Sequence, residues 1–147
     1  MEFFDRKKRN IFMPENKTKV TILEKLETLC EGLIYISEID SEMTPFVGET
    51  INSESASQII AALGKSRIQV EEIEFDKFFT GLSAEKEWLN AAERRQAKRW
   101  IELRKFLEEN IVGLRVFRFG KTRLEIYVVG VGPEGRAIGV KAESVET

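Results

Sequence analysis

The sequence ends with RVFRFGKTRLEIYVVGVGPEGRAIGVKAESVET, residues 115–147, and this segment indicates the fold most clearly. Three of its segments, residues 115–119, 123–131 and 136–142, are rich in β-branched and aromatic residues, and glycine-containing turns separate them. Such runs predict an antiparallel meander of three strands. We therefore expect Thr147, the last residue, to be held on an ordered sheet, where its hydroxyl and carboxylate have a fixed position.

One part of this stretch matches a nucleotide-binding motif. Residues 130–135, GVGPEG, fit the G-x-G-x-x-G pattern of dinucleotide-binding loops. In those loops a strand leads into a helix whose N-terminus meets the pyrophosphate, whereas the residues after this motif are predicted to form a strand. We interpret residues 130–135 as a hairpin turn.

Length and composition restrict the class of protein. A chain of 147 residues fits one domain and buries enough surface to fold without disulfides or a metal. The single cysteine, Cys30, leaves no disulfide within the chain, which favours a reducing compartment. Because no apolar run is long enough to cross a bilayer, we expect a soluble, cytoplasmic protein with no membrane partner.

The chain contains no histidine. This removes the usual general base near neutral pH, the common partner of a catalytic serine or cysteine, and the commonest transition-metal ligand. No other catalytic set is visible, so we expect a protein that is not an enzyme and has no cofactor. The formal net charge of −2 creates no overall attraction for nucleic acid.

We predict a flexible extension over residues 1–16 and a single domain over residues 17–147. The extension carries a basic cluster at residues 6–9 and shows no helical periodicity. Such a cluster is able to bind nucleic acid, but a solvated arm is the favoured interpretation.

The domain is predicted to begin with a helix. From about Thr18, apolar residues recur at three- and four-residue spacing, Cys30 is a small core residue among them, and Gly32 is placed to end the helix. The next elements predicted are a strand at residues 33–37, a loop over residues 43–54 that can include an edge strand, a helix at 56–63 capped by Ser55, and a strand at 69–75. After it, Asp76 or Ser83 can each cap a short helix, around residues 78–79 or over residues 84–89.

An acidic loop follows the strand at residues 33–37. Glu38, Asp40 and Glu42 place three carboxylates within five residues. Such a group can hold a hard cation or face a basic partner, but solvated loop charges are the simpler interpretation. The glycine and the terminal glutamate that a calcium loop requires are missing.

The longest predicted helix covers residues 90–110. Its buried stripe is expected to contain Ala92, Trp100, Leu103, Phe106, Leu107 and Ile111. The basic face between Arg94 and Lys105 permits a nucleic-acid-binding role, and a solvated face with pairs one turn apart is the favoured alternative. The expected pairs are Lys98 with Glu102 and Arg104 with Glu108.

Several short motifs occur in a fixed order along the chain. They are GLIYISE at residues 32–38, FDKFF at 75–79 with Trp88 ten residues after Phe78, VFRFG at 116–120, EIYVVG at 125–130, and the final VET. Together they resemble the nuclease A inhibitor family, whose members are small bacterial proteins that block a sugar-nonspecific DNA/RNA endonuclease. The resemblance covers about residues 18–147.

The resemblance implies both a fold and a mode of action. The fold would be α+β, a three-layer α-β-α sandwich similar to the plant pathogenesis-related class 1 proteins, with the C-terminal antiparallel meander. The protein would inhibit a Mg-dependent nuclease stoichiometrically by entering its active site. It would be a monomer when free, form a 1:1 complex and make no direct contact with nucleic acid.

The resemblance also implies four partner-binding residues. Thr147 would be a ligand to the partner nuclease's Mg²⁺, through its hydroxyl or its α-carboxylate, and Glu38 would pair with an arginine near the scissile phosphate. Trp88 would be the apolar anchor and Glu87 would lie on the rim. The structural alternatives are a core tryptophan between two helices, a solvated Glu38 and a Thr147 that is only the end of the chain.

The chain departs from the family pattern after the tryptophan. Residues 91–99 are mostly basic where the family is acidic, and Glu87 stands in place of an aspartate. These differences bear on which nuclease is the target. Two other functions stay open: a nucleic-acid-binding module that uses the Arg94 to Lys105 face, and a small-molecule binder with no visible pocket.

Overall fold

The computed structural model of the protein describes residues 14–84 and 86–147, with side chains from Ile22 onward. The basic cluster at residues 6–9 therefore lies outside the described residues. Within them the chain forms four helices and seven strands, an α+β fold as predicted. In chain order these are α1 (Pro14–Cys30), β1 (Ile34–Ile36), β2 (Asp40–Glu42), β3 (Thr44–Thr50), α2 (Ala56–Ala62), β4 (Val70–Ile73), α3 (Phe75–Ser83), α4 (Ala91–Asn110), β5 (Val112–Gly120), β6 (Arg123–Val131) and β7 (Arg136–Val145).

The main sheet has five antiparallel strands in the order β3-β7-β6-β5-β4. The predicted meander is confirmed, because β5 pairs with β6 and β6 pairs with β7. Strands β1 and β2 form a separate antiparallel hairpin. The amide of Glu38 in that hairpin donates to the carbonyl of Val145 at 3.1 Å, which attaches the hairpin to the end of β7.

Helices lie on both faces of the main sheet. Successive residues of a strand point to opposite faces, and β5 shows the result. Val116 belongs to a large apolar core shared with α1, α3 and α4, whereas Phe117 belongs to a smaller core shared with α2. Both β5 side chains are almost fully buried. Burial of this apolar surface is the main force that holds the helices against the sheet.

Glycine-containing turns join the strands of the meander. Gly120 ends β5 at φ +112°, and a Cβ there would lie 2.4 Å from the carbonyl oxygen of Arg123, so only glycine fits this tight turn. Between β6 and β7, the amide of Gly132 donates to the carbonyl of Arg136 at 2.9 Å. The G-x-G-x-x-G match is therefore a hairpin turn, as interpreted from the sequence.

Other sequence predictions are confirmed in detail. An edge strand forms within residues 43–54, namely β3, and the Ser55 side chain caps α2. Cys30 is a core residue, only 2% exposed. Loss of water around the thiol raises the pKa of Cys30 to about 12, so it is not a nucleophile at neutral pH. No helix in the described part of the chain is long and apolar enough to cross a membrane.

The structure corrects three predictions about the helices. Helix α1 begins at Pro14, earlier than Thr18. Glu74 occupies the N-cap position of α3 without a side-chain capping bond, so neither Asp76 nor Ser83 is at a helix N-cap. Ala92 was expected in the buried stripe of α4, but it is exposed, because the buried side of this helix begins only at Ala97.

Candidate functional site

The end of β7 and the loop after β1 meet to form what we call the C-terminal junction, which consists of Ser37, Glu38, Val145, Glu146 and Thr147. Backbone pairing brings the two segments together. The Glu38 amide donates to the Val145 carbonyl at 3.1 Å, and the Val145 amide donates to the Ser37 hydroxyl at 3.1 Å. These bonds therefore attach the loop after β1 to the end of β7.

Glu38 and Thr147 are in direct contact at this junction. The backbone amide of Thr147 donates to Oε2 of Glu38 at 2.9 Å, and the Thr147 hydroxyl donates to the same oxygen at 2.8 Å. Both residues are exposed. The other oxygen of Glu38 has no hydrogen-bond partner among the described residues, so the carboxylate can accept from a partner protein.

A shallow, open groove of about 320 Å³ lies beside this pair. One wall carries the apolar side chain of Ile36, which is 69% exposed and was not singled out from the sequence. The groove therefore presents a carboxylate and a hydroxyl next to an apolar surface. Its lining residues are Tyr35, Ile36, Ser37, Glu38, Val145, Glu146 and Thr147.

Beneath the groove, Tyr35 joins the junction to the large core. Its ring stacks on Phe78 with centroids 5.9 Å apart. Burial raises the pKa of the Tyr35 phenol, and the nearby positive charge of Arg118 offsets part of this rise. Tyr35 is therefore a neutral hydroxyl at physiological pH.

Two charged residues that support the junction were missed from the sequence. Arg118 of β5 forms an ion pair with Oε1 of Glu146, and Oε2 of Glu146 accepts from the Ser144 hydroxyl at 2.8 Å. The sequence feature that could have indicated Arg118 is its position: it is a charged residue between Phe117 and Phe119 in a largely apolar strand. A side chain at that position shares the core-facing side of the strand with Val116.

Trp88 and Glu87 lie elsewhere, on the loop between α3 and α4. The Trp88 side chain is 77% exposed, which excludes the alternative of a core tryptophan between two helices. Its ring contacts the Lys86 ammonium group at 5.4 Å from the ring centroid. Among the described residues the Glu87 carboxylate has no hydrogen bond or ion pair, whereas the Glu87 carbonyl accepts from Arg94 at 3.3 Å.

Short-range contacts hold the Trp88 loop on both sides. The amide of Leu89 donates to the carbonyl of Lys86 at 3.1 Å, so the backbone turns at Trp88. Asn90 then begins α4 with a capping box, in which its side chain and that of Glu93 bond to each other's backbone amides. The exposed indole is therefore carried by a loop of defined shape.

The two groups are connected through α4 and β1. No hydrogen bond, ion pair or ring contact among the described residues joins Trp88 directly to Glu38 or Thr147. Instead, Gln96 of α4 accepts from the amide of Ile34 at 3.0 Å and donates to the carbonyl of Gly32 at 2.9 Å. Gln96 lies six residues after Asn90, or about 9 Å along the helix axis. Helix α4 therefore links the Trp88 loop to the start of β1.

The carboxylates of the acidic loop do not converge. Glu38 bonds to Thr147, whereas Oε2 of Glu42 accepts from the amide of Gly32 at 2.5 Å. Within the described residues there is no group of three or more side chains that could hold a metal ion. The geometry therefore gives no support to a cation site of the protein's own.

Much of the basic face of α4 is used inside the molecule. Arg99 donates to the carbonyls of Leu29, at 3.0 Å, and Glu31, and so satisfies the C-terminal end of α1. Arg104 pairs with Asp76 and, as predicted, with Glu108 at 3.5 Å. These contacts weaken the nucleic-acid-binding alternative, although Arg95, Lys98 and Lys105 stay exposed.

A search with protein-family models matches residues 20–147 to the family described as nuclease A inhibitor-like protein. The matched region includes both the C-terminal junction and the Trp88 loop. A search of curated proteins finds no match to the chain.

Proposed function

The chain belongs to the nuclease A inhibitor-like family, and we propose on this premise that it inhibits a sugar-nonspecific, Mg-dependent DNA/RNA endonuclease by entering its active site. Glu38, Trp88 and Thr147 would make the central contacts, with Glu87 on the rim. The inhibitor acts by binding in a 1:1 complex, is a monomer when free and is not an enzyme. We place it in the bacterial cytoplasm, where a reduced Cys30 is expected.

The contact between Glu38 and Thr147 is the observation that carries this proposal. An inhibitor of such a nuclease must offer oxygen atoms where the phosphate oxygens of the substrate would lie. The Thr147 hydroxyl lies 2.8 Å from a Glu38 carboxylate oxygen, so a hydroxyl and a carboxylate lie side by side on the exposed surface. A hydroxyl is an oxygen ligand of the kind Mg²⁺ accepts in place of a water.

Each residue has a distinct part in the proposed complex. The free oxygen of Glu38 would pair with the partner's arginine, because charge-assisted bonds between carboxylate and guanidinium are short and strong. The Thr147 hydroxyl would ligate the partner's Mg²⁺. Trp88 would enter an apolar recess of the nuclease, as exposed aromatic residues at interface centres commonly do.

We also infer the layered arrangement of the fold from membership in this family. Cores on both faces of one sheet support a three-layer α-β-α sandwich of the plant pathogenesis-related class 1 type. In that arrangement the junction and the Trp88 loop would project from one rim of the sandwich. Fold alone does not establish function, so the test must address the residues.

Substitution of Thr147 tests the proposed contact. Thr147→Val removes the hydroxyl but keeps the shape and the backbone bond to Glu38, and we expect the inhibition constant to rise roughly 10- to 100-fold. Thr147→Ser keeps the hydroxyl and should inhibit nearly as well as the wild type. The measurement is inhibition of a sugar-nonspecific, Mg-dependent endonuclease on both DNA and RNA substrates.

A threonine outside the site provides the control for this experiment. Thr50 is exposed at the end of β3, and Thr50→Val should leave inhibition unchanged. Extension of the chain by a few residues after Thr147 should weaken inhibition as the Val substitution does. Equal inhibition by wild type, Thr147→Val and the extended chain would refute the role of Thr147.

A further inference from the structure

We propose that Arg118 is a positioning residue for inhibition, since its ion pair with Glu146 holds Thr147 against Glu38 before any partner binds. The inference rests on the function proposed above. It concerns a residue that is absent from the lining of the groove and therefore acts through Glu146.

Arg118 occupies an unusual place for a charged side chain. It lies on β5 between two buried phenylalanines, and its own side chain is only 24% exposed. Its Nε atom is buried and has no hydrogen-bond partner among the described residues. A guanidinium cannot lose its proton to avoid the cost of a partly buried charge, so Arg118 requires carboxylates nearby.

Glu146 is the carboxylate that compensates Arg118 most directly. One oxygen pairs with the guanidinium, and the other accepts from Ser144, a buried hydroxyl that is 1% exposed. The backbone amide of Glu146 donates to the carbonyl of Thr122 at 2.9 Å. With its backbone and both carboxylate oxygens bonded, the penultimate residue has a single orientation.

The orientation of Glu146 determines where the last residue can go. Thr147 continues from a fixed backbone and places both its amide and its hydroxyl on Glu38. The last residues of a domain are usually poorly ordered unless something ties them down. Ordering them in the free protein lowers the entropy lost when a partner binds, which strengthens binding without a new contact.

The structure also explains how this role can be separated from folding. Arg118 has a second carboxylate within reach, since its Nε lies 3.8 Å from Oε1 of Glu71. Glu146→Gln keeps the size of the side chain and an acceptor for Ser144 but removes the charge. The variant therefore loosens the Arg118 contact while Glu71 still compensates the guanidinium.

Arg115 offers a matched control on the same strand. Its Nη1 pairs with Oε2 of Glu72 at 2.7 Å, and its side chain is 34% exposed. Arg115→Met removes an ion pair of the same type from β5, away from the C-terminal junction. It should share any general effect on sheet stability but not an effect on Thr147.

The experiment has a readout in the free protein and one with the nuclease. In the free protein, the ¹⁵N heteronuclear NOE of the Thr147 amide should show an ordered residue in the wild type and in Arg115→Met. It should show a mobile residue in Arg118→Met and Glu146→Gln. A Thr147 amide that stays ordered in both junction variants would overturn the proposal, whether or not inhibition is observed.

The nuclease readout uses a double-mutant cycle. We expect Arg118→Met and Glu146→Gln each to raise the inhibition constant about tenfold or more. In a chain that lacks Thr147, the same substitutions should have no further effect, because the residue they position is gone. If each substitution raises the inhibition constant by the same factor with and without Thr147, Arg118 has only a structural role and the inference is overturned. Absence of inhibition by the wild type would refute the proposed function, and the NOE measurement would still decide the positioning role.

Discussion

At the scale of single residues, exposure separates Trp88 from the other tryptophan. Trp100 is 2% exposed and packs against Phe78 and Phe79, whereas the Trp88 side chain is 77% exposed. A large aromatic group left in water contributes little to folding but can contribute strongly to binding. The helical pattern of the sequence predicted the buried position of Trp100, but it could not decide between the two environments of Trp88.

Substitution of Trp88 should affect binding and not stability. If the indole is an anchor, Trp88→Ala should raise the dissociation constant of the complex by roughly 30-fold or more, as loss of about 2 kcal/mol or more implies. Unfolding in urea should change by less than about 0.5 kcal/mol, because the side chain buries little surface. Isothermal titration calorimetry and urea titration provide the two measurements.

Ile101 is the control for this substitution. It is 48% exposed on α4, outside the proposed contact residues, so Ile101→Ala should leave the dissociation constant unchanged. If Trp88→Ala binds as tightly as Ile101→Ala, the indole is not an anchor.

The contact between Glu38 and Thr147 could not be predicted from the residues alone. The two are 109 positions apart, and no local pattern connects them. The family resemblance implied a role for each but not that they would bond to each other. The Arg118–Glu146 pair was missed for the same reason, since no local pattern connects a residue of β5 with one that follows β7.

At the scale of elements, sequence patterns predicted the elements that pair with neighbouring segments of the chain. The meander was predicted because each of its hairpins pairs neighbouring segments of the chain. Residues 84 and 86–89, the described part of the short helix expected after Ser83, are not helical, and the start of α4 explains why. Asn90 is the N-cap of α4 with an extended backbone, so the residues before it approach as a loop.

The cap of α4 makes a prediction about stability. Asn90→Ala removes the side-chain bond to the Glu93 amide, which measures 2.8 Å, and should destabilise the protein by about 1 kcal/mol. Asn90→Ser keeps a capping oxygen and should cost much less. Urea unfolding of the three proteins is the measurement, and equal midpoints for all of them would show that this cap does not stabilise α4.

At the scale of the whole molecule, the two surface features are both attached to the main sheet. The C-terminal junction lies at the end of β7, and the Trp88 loop leads into α4, the longest helix, which packs on the sheet. Gln96 links α4 to the backbone around β1. If the proposed contacts are correct, this arrangement would let residues far apart in sequence meet one active site with little reordering on binding, which would favour tight binding.

We expect the protein to block a nuclease stoichiometrically. The most direct test is a titration of a sugar-nonspecific, Mg-dependent endonuclease, with DNA and RNA cleavage measured at saturating Mg²⁺. We expect activity on both substrates to fall linearly and reach its minimum at one inhibitor per enzyme, while Thr147→Val inhibits only at much higher concentration. Undiminished cleavage by every nuclease of this type, including one encoded in the protein's own host, at a large excess of the wild-type protein would show that it is not a nuclease inhibitor.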